Sequence, residues 1–322
     1  MSFKLLLLPP FLSGPAGLLI RTLEDSVPGI RVVVADTPEA GINDLRDADA
    51  VYGFIPPDLF GRAKKLQWIA GPMAGLGEAW FYPALVKSDV VVTNVRGIYN
   101  EQLAAHIMAF ILAFSHRFDR YFLQQVAKGW GHAGTNMDLR AQTVLILGLG
   151  GSGAESARLC HEFGMHVIGC DVRLQSPPAG VQELVPLAEM PNRLGDADFI
   201  VVTVPETPTT RGLFNAAMFS RMKHGSYLIN IARGALVKLD DLVEALRSGQ
   251  VAGAGLDVFE IEPLPADHPL WTLPGVLITP HAAINGAEED QQHRRVQTLV
   301  ENCRRFAAGE PLINAVDKHS WF

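Results

Sequence analysis

Cysteine is scarce in this 322-residue sequence: Cys160, Cys170 and Cys303 are the only three, and none stands in C-x-x-C or metal-ligand spacing. That excludes a disulfide scaffold and a zinc module, and no metal is expected; isolated thiols of this kind suit the reduced core of a cytoplasmic protein. Long hydrophobic runs are missing too. No stretch of 18 or more apolar residues occurs, so no membrane-spanning helix is expected. Leu5 to Leu8 resembles the core of a signal peptide, but Pro9 and Pro10 interrupt it and only Lys4 supplies charge, so a first β-strand is the better reading. Basic clusters are absent: 34 acidic residues outnumber 27 basic ones, giving a net charge of −7. Neither nucleic acid nor an anionic membrane is therefore an expected partner.

What the sequence does have is a hydrophobic content of 48% with 19% charged residues, enough to bury a large core, over a length that suggests about two domains. One stretch organises the rest. Thr143-Val144-Leu145-Ile146-Leu147 is an apolar, β-branched run that reads as a buried parallel strand. It leads into Gly148-Leu149-Gly150-Gly151-Ser152-Gly153, a G-x-G-x-x-G opening a helix rich in small residues. Gly148 permits a tight turn, Gly150 lets backbone approach a pyrophosphate, and Gly153 lets helix and strand pack closely. Phosphates would then sit on the free N–H groups at the positive end of the helix. Eighteen residues past Gly153, the run Met165 to Cys170 ends in Asp171, where a dinucleotide fold places a carboxylate for ribose hydroxyls. Asp171 favours NAD, since a 2′-phosphate would meet a like charge; Arg173 nearby leaves room for NADP.

Upstream, short apolar runs (Lys4–Leu8, Arg31–Ala35, Ala50–Phe54, Leu66–Ala70 and Val90–Asn94) alternate with helical or turn segments. Such alternation argues for a small parallel α/β domain. The turn from Gly71 to Gly77, with Ala74, Gly75 and Leu76, follows the fourth run and could offer backbone N–H groups to a substrate carboxylate, or serve as a plain connection. Leu103 to Phe114 is apolar nearly all round, which predicts a helix buried on several sides, between domains or against a second copy, hence a homodimer. Arg120 to Gly131 is more polar and carries Trp130, an arm that could lie over a neighbour. After Asp171 the runs Phe199–Val204, Ser226–Ile231, Val251–Asp257 and Val276–Thr279 follow, mostly separated by helical patterns, and a polar helix is expected from Ala287 to Arg305. The expected architecture is two doubly wound parallel-sheet α/β domains, Rossmann-like and flavodoxin-like, with a cleft between them. Residues 1–97 with 284–322 form the substrate domain and 98–283 the dinucleotide-binding domain.

Three polar residues stand just past strand ends: Arg233 after Asn230-Ile231-Ala232, Glu262 in the segment from Asp257 to Pro265, and His281 in Thr279-Pro280-His281. An arginine would bind a substrate carboxylate bidentately and polarise the neighbouring carbonyl. A histidine would give a proton to the carbonyl oxygen as hydride arrives and take it back in the oxidative direction. A carboxylate on the ring would fix its tautomer. Each has an ordinary use by itself, as a strand cap, a solvated charge or a surface histidine; together, beside a cofactor fingerprint, they point to chemistry. Arg96 could reach a cleft, although a hinge salt bridge is the simpler role.

These segments resemble the D-isomer-specific 2-hydroxyacid dehydrogenase family along nearly the whole chain. The matching stretches are Leu147 to Gly150 with Gly153, Pro205 through Leu213, Met222 through Gly234, Gly255 through Pro265, and Thr279-Pro280-His281. The resemblance implies Arg233, Glu262 and His281 as the catalytic set, a cleft that closes on substrate, and a dimer built around the glycine-fingerprint domain. It places Asp257 near the nicotinamide carboxamide, and Pro205 and Thr210 along the cofactor. The cofactor set under this resemblance is completed by Gly148, Gly150, Gly151, Ser152, Gly153, Asp171, Ile231, Ala232 and Ala283, together with Arg233 and His281. Substrate would meet Ala74, Gly75, Leu76 and Arg233.

The sequence also departs from the family. Ser152 replaces a branched apolar residue, Ala105-His106 replaces the usual Glu-His, and Ala282 to Asn285 lacks the common Gly and Thr pattern. The turn Gly75-Leu76-Gly77 lacks a frequent aspartate. The expected activity is NAD(P)-dependent interconversion of small 2-keto and 2-hydroxy acids. The alternatives are a phosphite-type dehydrogenase of the same fold and a non-enzymatic NAD-sensing binding protein. A formate enzyme would carry glutamine in place of Glu262.

Overall fold

A computed structural model of the chain describes residues 2–8, 16–285 and 288–321. The chain divides into two compact units, one made of Met1–Ile98 with Gly286–Phe322 and the other of Tyr99–Asn285. Among the described residues no helix is long and apolar enough to cross a membrane, and no group of side chains could hold a metal ion.

In the first unit β1 (Phe3–Leu7), β2 (Ile30–Val34), β3 (Ala50–Tyr52), β4 (Trp68–Ala70) and β5 (Val91–Thr93) pair in parallel, in the order β2-β1-β3-β4-β5. That is the flavodoxin-like order. Strands β3, β4 and β5 are shorter than the apolar runs that announce them, while β1 and β2 keep the length of theirs and begin one residue earlier. β3 stops at Tyr52 because Gly53 turns the chain at φ +124°, where a Cβ would fall on the Leu8 carbonyl oxygen. The late helix runs Glu288–Ala308, three residues further than the sequence pattern; Ala287, its expected start, lies outside the described residues. Its Leu299, Val300 and Cys303 pack with Phe3, Leu5 and Trp68, and the Phe306 ring meets that of Phe3 edge-on.

The second unit carries a seven-stranded sheet among the described residues: β6 (Thr143–Leu147), β7 (His166–Asp171), β8 (Glu183–Pro186), β9 (Phe199–Val202), β10 (Ser226–Asn230), β11 (Val251–Leu256) and β12 (Val276–Ile278). All pairings are parallel, in the order β12-β11-β10-β9-β6-β7-β8. The period of two divides β6 between two cores. Leu145 and Leu147 face one with Leu242 and Val243, while Val144 and Ile146 face the other with Phe110 and Ile111. Each such side chain, fully buried, contributes roughly 1.5–3 kcal/mol, so the central strands are the most strongly held part of the unit. Strand β8 is absent from the apolar pattern, because Glu183-Leu184-Val185-Pro186 is short and only partly buried at the sheet edge.

The long helix Asn100–Ser115 is buried on one side by its own unit. Ile107, Phe110, Ile111 and Phe114 pack onto the sheet beside the helix Gly151–Glu162, while Ala105 and Ala109 remain exposed. The segment after it is more polar, as the sequence pattern has it, and the helix Phe118–Val126 leaves Phe118, Phe122, Leu123 and Val126 exposed, with Trp130 fully in solvent.

Candidate active site

Parallel strands bring all their carboxyl ends to one edge of the second sheet, and the order reverses between β7 and β9 on either side of β6. Ligands of open α/β sheets bind at that switch point. The glycine turn stands there. Gly148 has φ +93°, and a Cβ on it would press on Val204 and on the backbone of Thr203 and Val204. Thr203 Oγ1 donates to the carbonyls of Leu147 and Gly148 at 2.9 and 2.7 Å, fastening the loop after β9 to the turn. The helix Gly151–Glu162 then begins with its first N–H groups lacking intrahelical acceptors. A Cβ on Gly153 would coincide with the Gly148 carbonyl oxygen, which explains the third glycine. Ser152 lies in the first turn of this helix, and its carbonyl accepts from Ser156 Oγ at 2.7 Å.

Asp171 closes β7 with its side chain only 5% exposed. Its oxygens accept from Leu149 N and Arg173 N, both at 2.8 Å, so the acid braces the glycine turn itself. The Arg173 guanidinium stands 3.8 Å from Asp171 and within 4.0 Å of where a Gly150 Cβ would project. An open turn, a helix end rich in donors, and a carboxylate with an arginine at the second strand together fit a pyridine dinucleotide. Pro205 and Thr210 form a self-contained loop: the buried Thr210 hydroxyl donates to the Pro205 carbonyl at 2.8 Å and accepts from Thr207 N at 2.8 Å.

The three chemical residues lie in loops after β10, β11 and β12. Ile231 and Ala232 lead into Arg233, whose Nη1 donates to the Ala232 carbonyl at 2.7 Å. Burial lowers the guanidinium pKa, offset by Glu206 and Glu262, and an arginine keeps its charge nonetheless. Glu206, absent from the sequence-derived set, also pairs with Arg211 at 2.5 Å. Gly234 is pressed so closely on the Phe259 main chain that no side chain fits. Phe259 N in turn donates to Glu262 Oε1 at 2.9 Å, and Glu262 Oε2 lies 2.7 Å from His281 Nδ1. A carboxylate only accepts, so Nδ1 carries the hydrogen and Nε2 is the nitrogen left for chemistry. His281 is half-exposed and sits at φ +52°, its N–H donating to the Asp257 carbonyl at 2.8 Å.

Asp257 is turned toward the His281 loop. Its carboxylate accepts from Thr279 Oγ1 at 2.6 Å, from Ala282 N at 2.8 Å and from Ala283 N at 3.1 Å. Two residues outside the sequence-derived site set join this cluster, Thr279 and, at 3.0 Å from its hydroxyl, His106 Nε2. His106 showed in the sequence only as half of an altered Glu-His pair. In the first unit, the Ala74 carbonyl accepts from Asn94 Nδ2 at 2.8 Å, and the Leu76 side chain is buried in the core, leaving only its main chain for a ligand. Arg96 Nε donates to Asn314 at 3.4 Å and its Nη2 to the Ala315 carbonyl at 3.4 Å.

The doubly wound parallel sheet and its glycine turn are those of an NAD(P)-dependent oxidoreductase. A family model described as D-isomer specific 2-hydroxyacid dehydrogenase, NAD binding domain, matches residues 108–283, and the chain belongs to that family. It is 35% identical over 291 residues to a glyoxylate/hydroxypyruvate reductase A of Yersinia enterocolitica, covering 87% of this chain and 91% of that protein. A glyoxylate reductase of Korarchaeum cryptofilum is 33% identical over 289 residues, 86% of this chain and 85% of that one. Among solved structures, a D-isomer specific 2-hydroxyacid dehydrogenase from Xanthobacter autotrophicus in complex with NADPH and MES superposes with a TM-score of 0.84 at 30% identity, covering 100% of both chains. An NADPH-dependent glyoxylate/hydroxypyruvate reductase from Sinorhizobium meliloti, with NADP and sulfate, gives a TM-score of 0.83 at 29% identity over 100% of both chains.

Proposed function

We propose that the protein reduces small 2-keto acids to 2-hydroxy acids, with glyoxylate and hydroxypyruvate as the leading substrates. The observation that carries this is the 2.7 Å pair of His281 and Glu262, on the sheet edge that bears the dinucleotide turn and Arg233. A dinucleotide held at the glycine turn would supply the hydride in one direction and accept it in the other. Arg233 binds the substrate carboxylate through its guanidinium fork and polarises the keto group. His281 Nε2–H gives its proton to the carbonyl oxygen, and the neutral ring takes a proton from the hydroxyl in reverse. Glu262 holds Nδ1–H throughout and stabilises the charged ring. The turn that holds Ala74, Gly75 and Leu76 is assigned here to substrate, with main-chain N–H groups to offer a carboxylate. Steady-state kinetics with glyoxylate, hydroxypyruvate, pyruvate and phenylpyruvate test the assignment: the two smallest polar acids are expected to give the highest kcat/KM, and no turnover with any of the four would overturn it.

Both dinucleotides are used under this proposal. Asp171 is engaged by the Leu149 and Arg173 amides, and Arg173 carries positive charge to the mouth of the turn, where a 2′-phosphate would need it. Arg173→Ala is expected to raise KM for NADPH about tenfold, the loss of one charge-assisted contact of about 1.5 kcal/mol, and to leave KM for NADH within about twofold. An equal effect on both cofactors would remove Arg173 from phosphate recognition.

A homodimer is part of the proposal, supported by the exposed Phe118, Phe122, Leu123, Val126 and Trp130 on one segment. A cytoplasmic location is supported by three buried, unpaired cysteines, with the Cys160 and Cys170 thiols pushed up to about 12 by burial.

A further inference from the structure

We infer that His106 is a positioning residue for the proposed acid–base histidine, acting through Thr279 and Asp257. The inference rests on the assignment of proton transfer to His281. Thr279 Oγ1 lies between two partners, 3.0 Å from His106 Nε2 and 2.6 Å from Asp257 Oδ1. A hydroxyl has one proton to give and a carboxylate none. Thr279 therefore donates to Asp257 and accepts from His106, which fixes hydrogen on His106 Nε2. Burial holds this imidazole below the ordinary histidine range although Asp257 pulls it upward, so the neutral Nε2–H tautomer serves at neutral pH. The Phe110 ring meets the imidazole edge-on at 4.8 Å and sets its plane.

Asp257 is the anchor of the loop that carries His281. It is 1% exposed, and the neutral His106 ring stands 3.8 Å from its Oδ1. Its carboxylate takes the N–H groups of Ala282 and Ala283, and its main-chain carbonyl takes that of His281. Those contacts hold His281 at φ +52°, a left-handed conformation that a side-chain-bearing residue rarely adopts. Without the His106 donor, the Thr279 hydroxyl loses one of its two fixed directions and the grip of Asp257 on the loop weakens. His281 can then relax out of the strained backbone. An ångström of misplacement at a reacting group is enough to slow turnover substantially.

His106→Phe keeps bulk against Phe110 but removes the donor; His106→Gln keeps a donor of similar reach; Thr279→Val removes the relay at nearly constant volume. In glyoxylate reduction, His106→Phe is expected to lower kcat about tenfold or more with KM within about threefold, and His106→Gln to recover most of that loss. Thr279→Val should match His106→Phe, and the double variant should be no worse than Thr279→Val alone, because both act on one chain of contacts. Wild-type kcat in His106→Phe, or losses that multiply in the double variant, would overturn the inference. If His106→Phe does not fold, Thr279→Val and the combination of His106→Gln with Thr279→Val carry the same test, the combination again being expected to equal Thr279→Val. His281→Ala separates the two levels. Retained turnover there would bring down the acid–base assignment itself, whereas an inactive His281→Ala beside a fully active His106→Phe would bring down only the role of His106.

Discussion

Replacing His281 by alanine is expected to lower kcat by about a hundred- to ten-thousand-fold, the usual contribution of a placed general acid–base, while NADH affinity changes by less than about twofold. The expectation follows from the allocation of ring nitrogens. Nδ1 is held by Glu262 at 2.7 Å, so the only nitrogen able to exchange a proton with substrate is Nε2. Alanine removes that nitrogen and leaves the glycine turn, Asp171 and the loop after β9 untouched, since among the described residues no hydrogen bond or ion pair joins His281 to them. The main chain at position 281 keeps its N–H to the Asp257 carbonyl. Steady-state kcat for glyoxylate and fluorescence titration with NADH separate the two quantities. Turnover near the wild-type rate would remove His281 from proton transfer, and lost NADH binding would assign it to the cofactor instead.

Arg233→Ala is expected to act differently, cutting kcat/KM by about a hundred- to ten-thousand-fold. Two charge-assisted hydrogen bonds at about 1.5–3 kcal/mol each set that range, at tenfold for every 1.4 kcal/mol. Both KM and kcat should suffer, because the guanidinium binds the carboxylate and polarises the adjacent carbonyl. The group is already partly desolvated, with Glu206 and Glu262 sustaining its charge, so an anionic substrate meets a cation that water screens poorly. Lysine should rescue little, as it lacks the planar fork. A variant that lost kcat alone, with KM for every keto acid unchanged, would argue against carboxylate binding.

Much of this was legible in the sequence because the physics of the elements is local. The β6 run is bounded by Thr143 and the glycine turn, and the structure ends the strand where the pattern does. Strand β8 was not legible: four residues including a proline, half-buried at an edge, leave no periodic trace. Of the burial on several sides that the apolar character of the long helix pointed to, the single chain carries the side of Ile107, Phe110, Ile111 and Phe114, with Ala105 and Ala109 exposed. At the site, residue type and place after a strand end were readable for Arg233, Glu262 and His281. Side-chain direction was not. Spacing could not tell that the Asp257 carboxylate turns to Thr279 and the Ala282 and Ala283 amides, or that the Thr210 hydroxyl is used up inside its own loop. Such partners are fixed by tertiary approach, which a single sequence does not encode position by position.

The tight seating of Gly234 on the Phe259 main chain, with Glu262 fastened to Phe259 N and to His281, has a practical corollary for anyone reshaping this catalyst. Segments after β10, β11 and β12 behave as one cassette. Transplanting any of them alone from a cousin with other tastes would carry over half of a latch, so chimeras should exchange all three together and seek new substrate preference elsewhere in the chain.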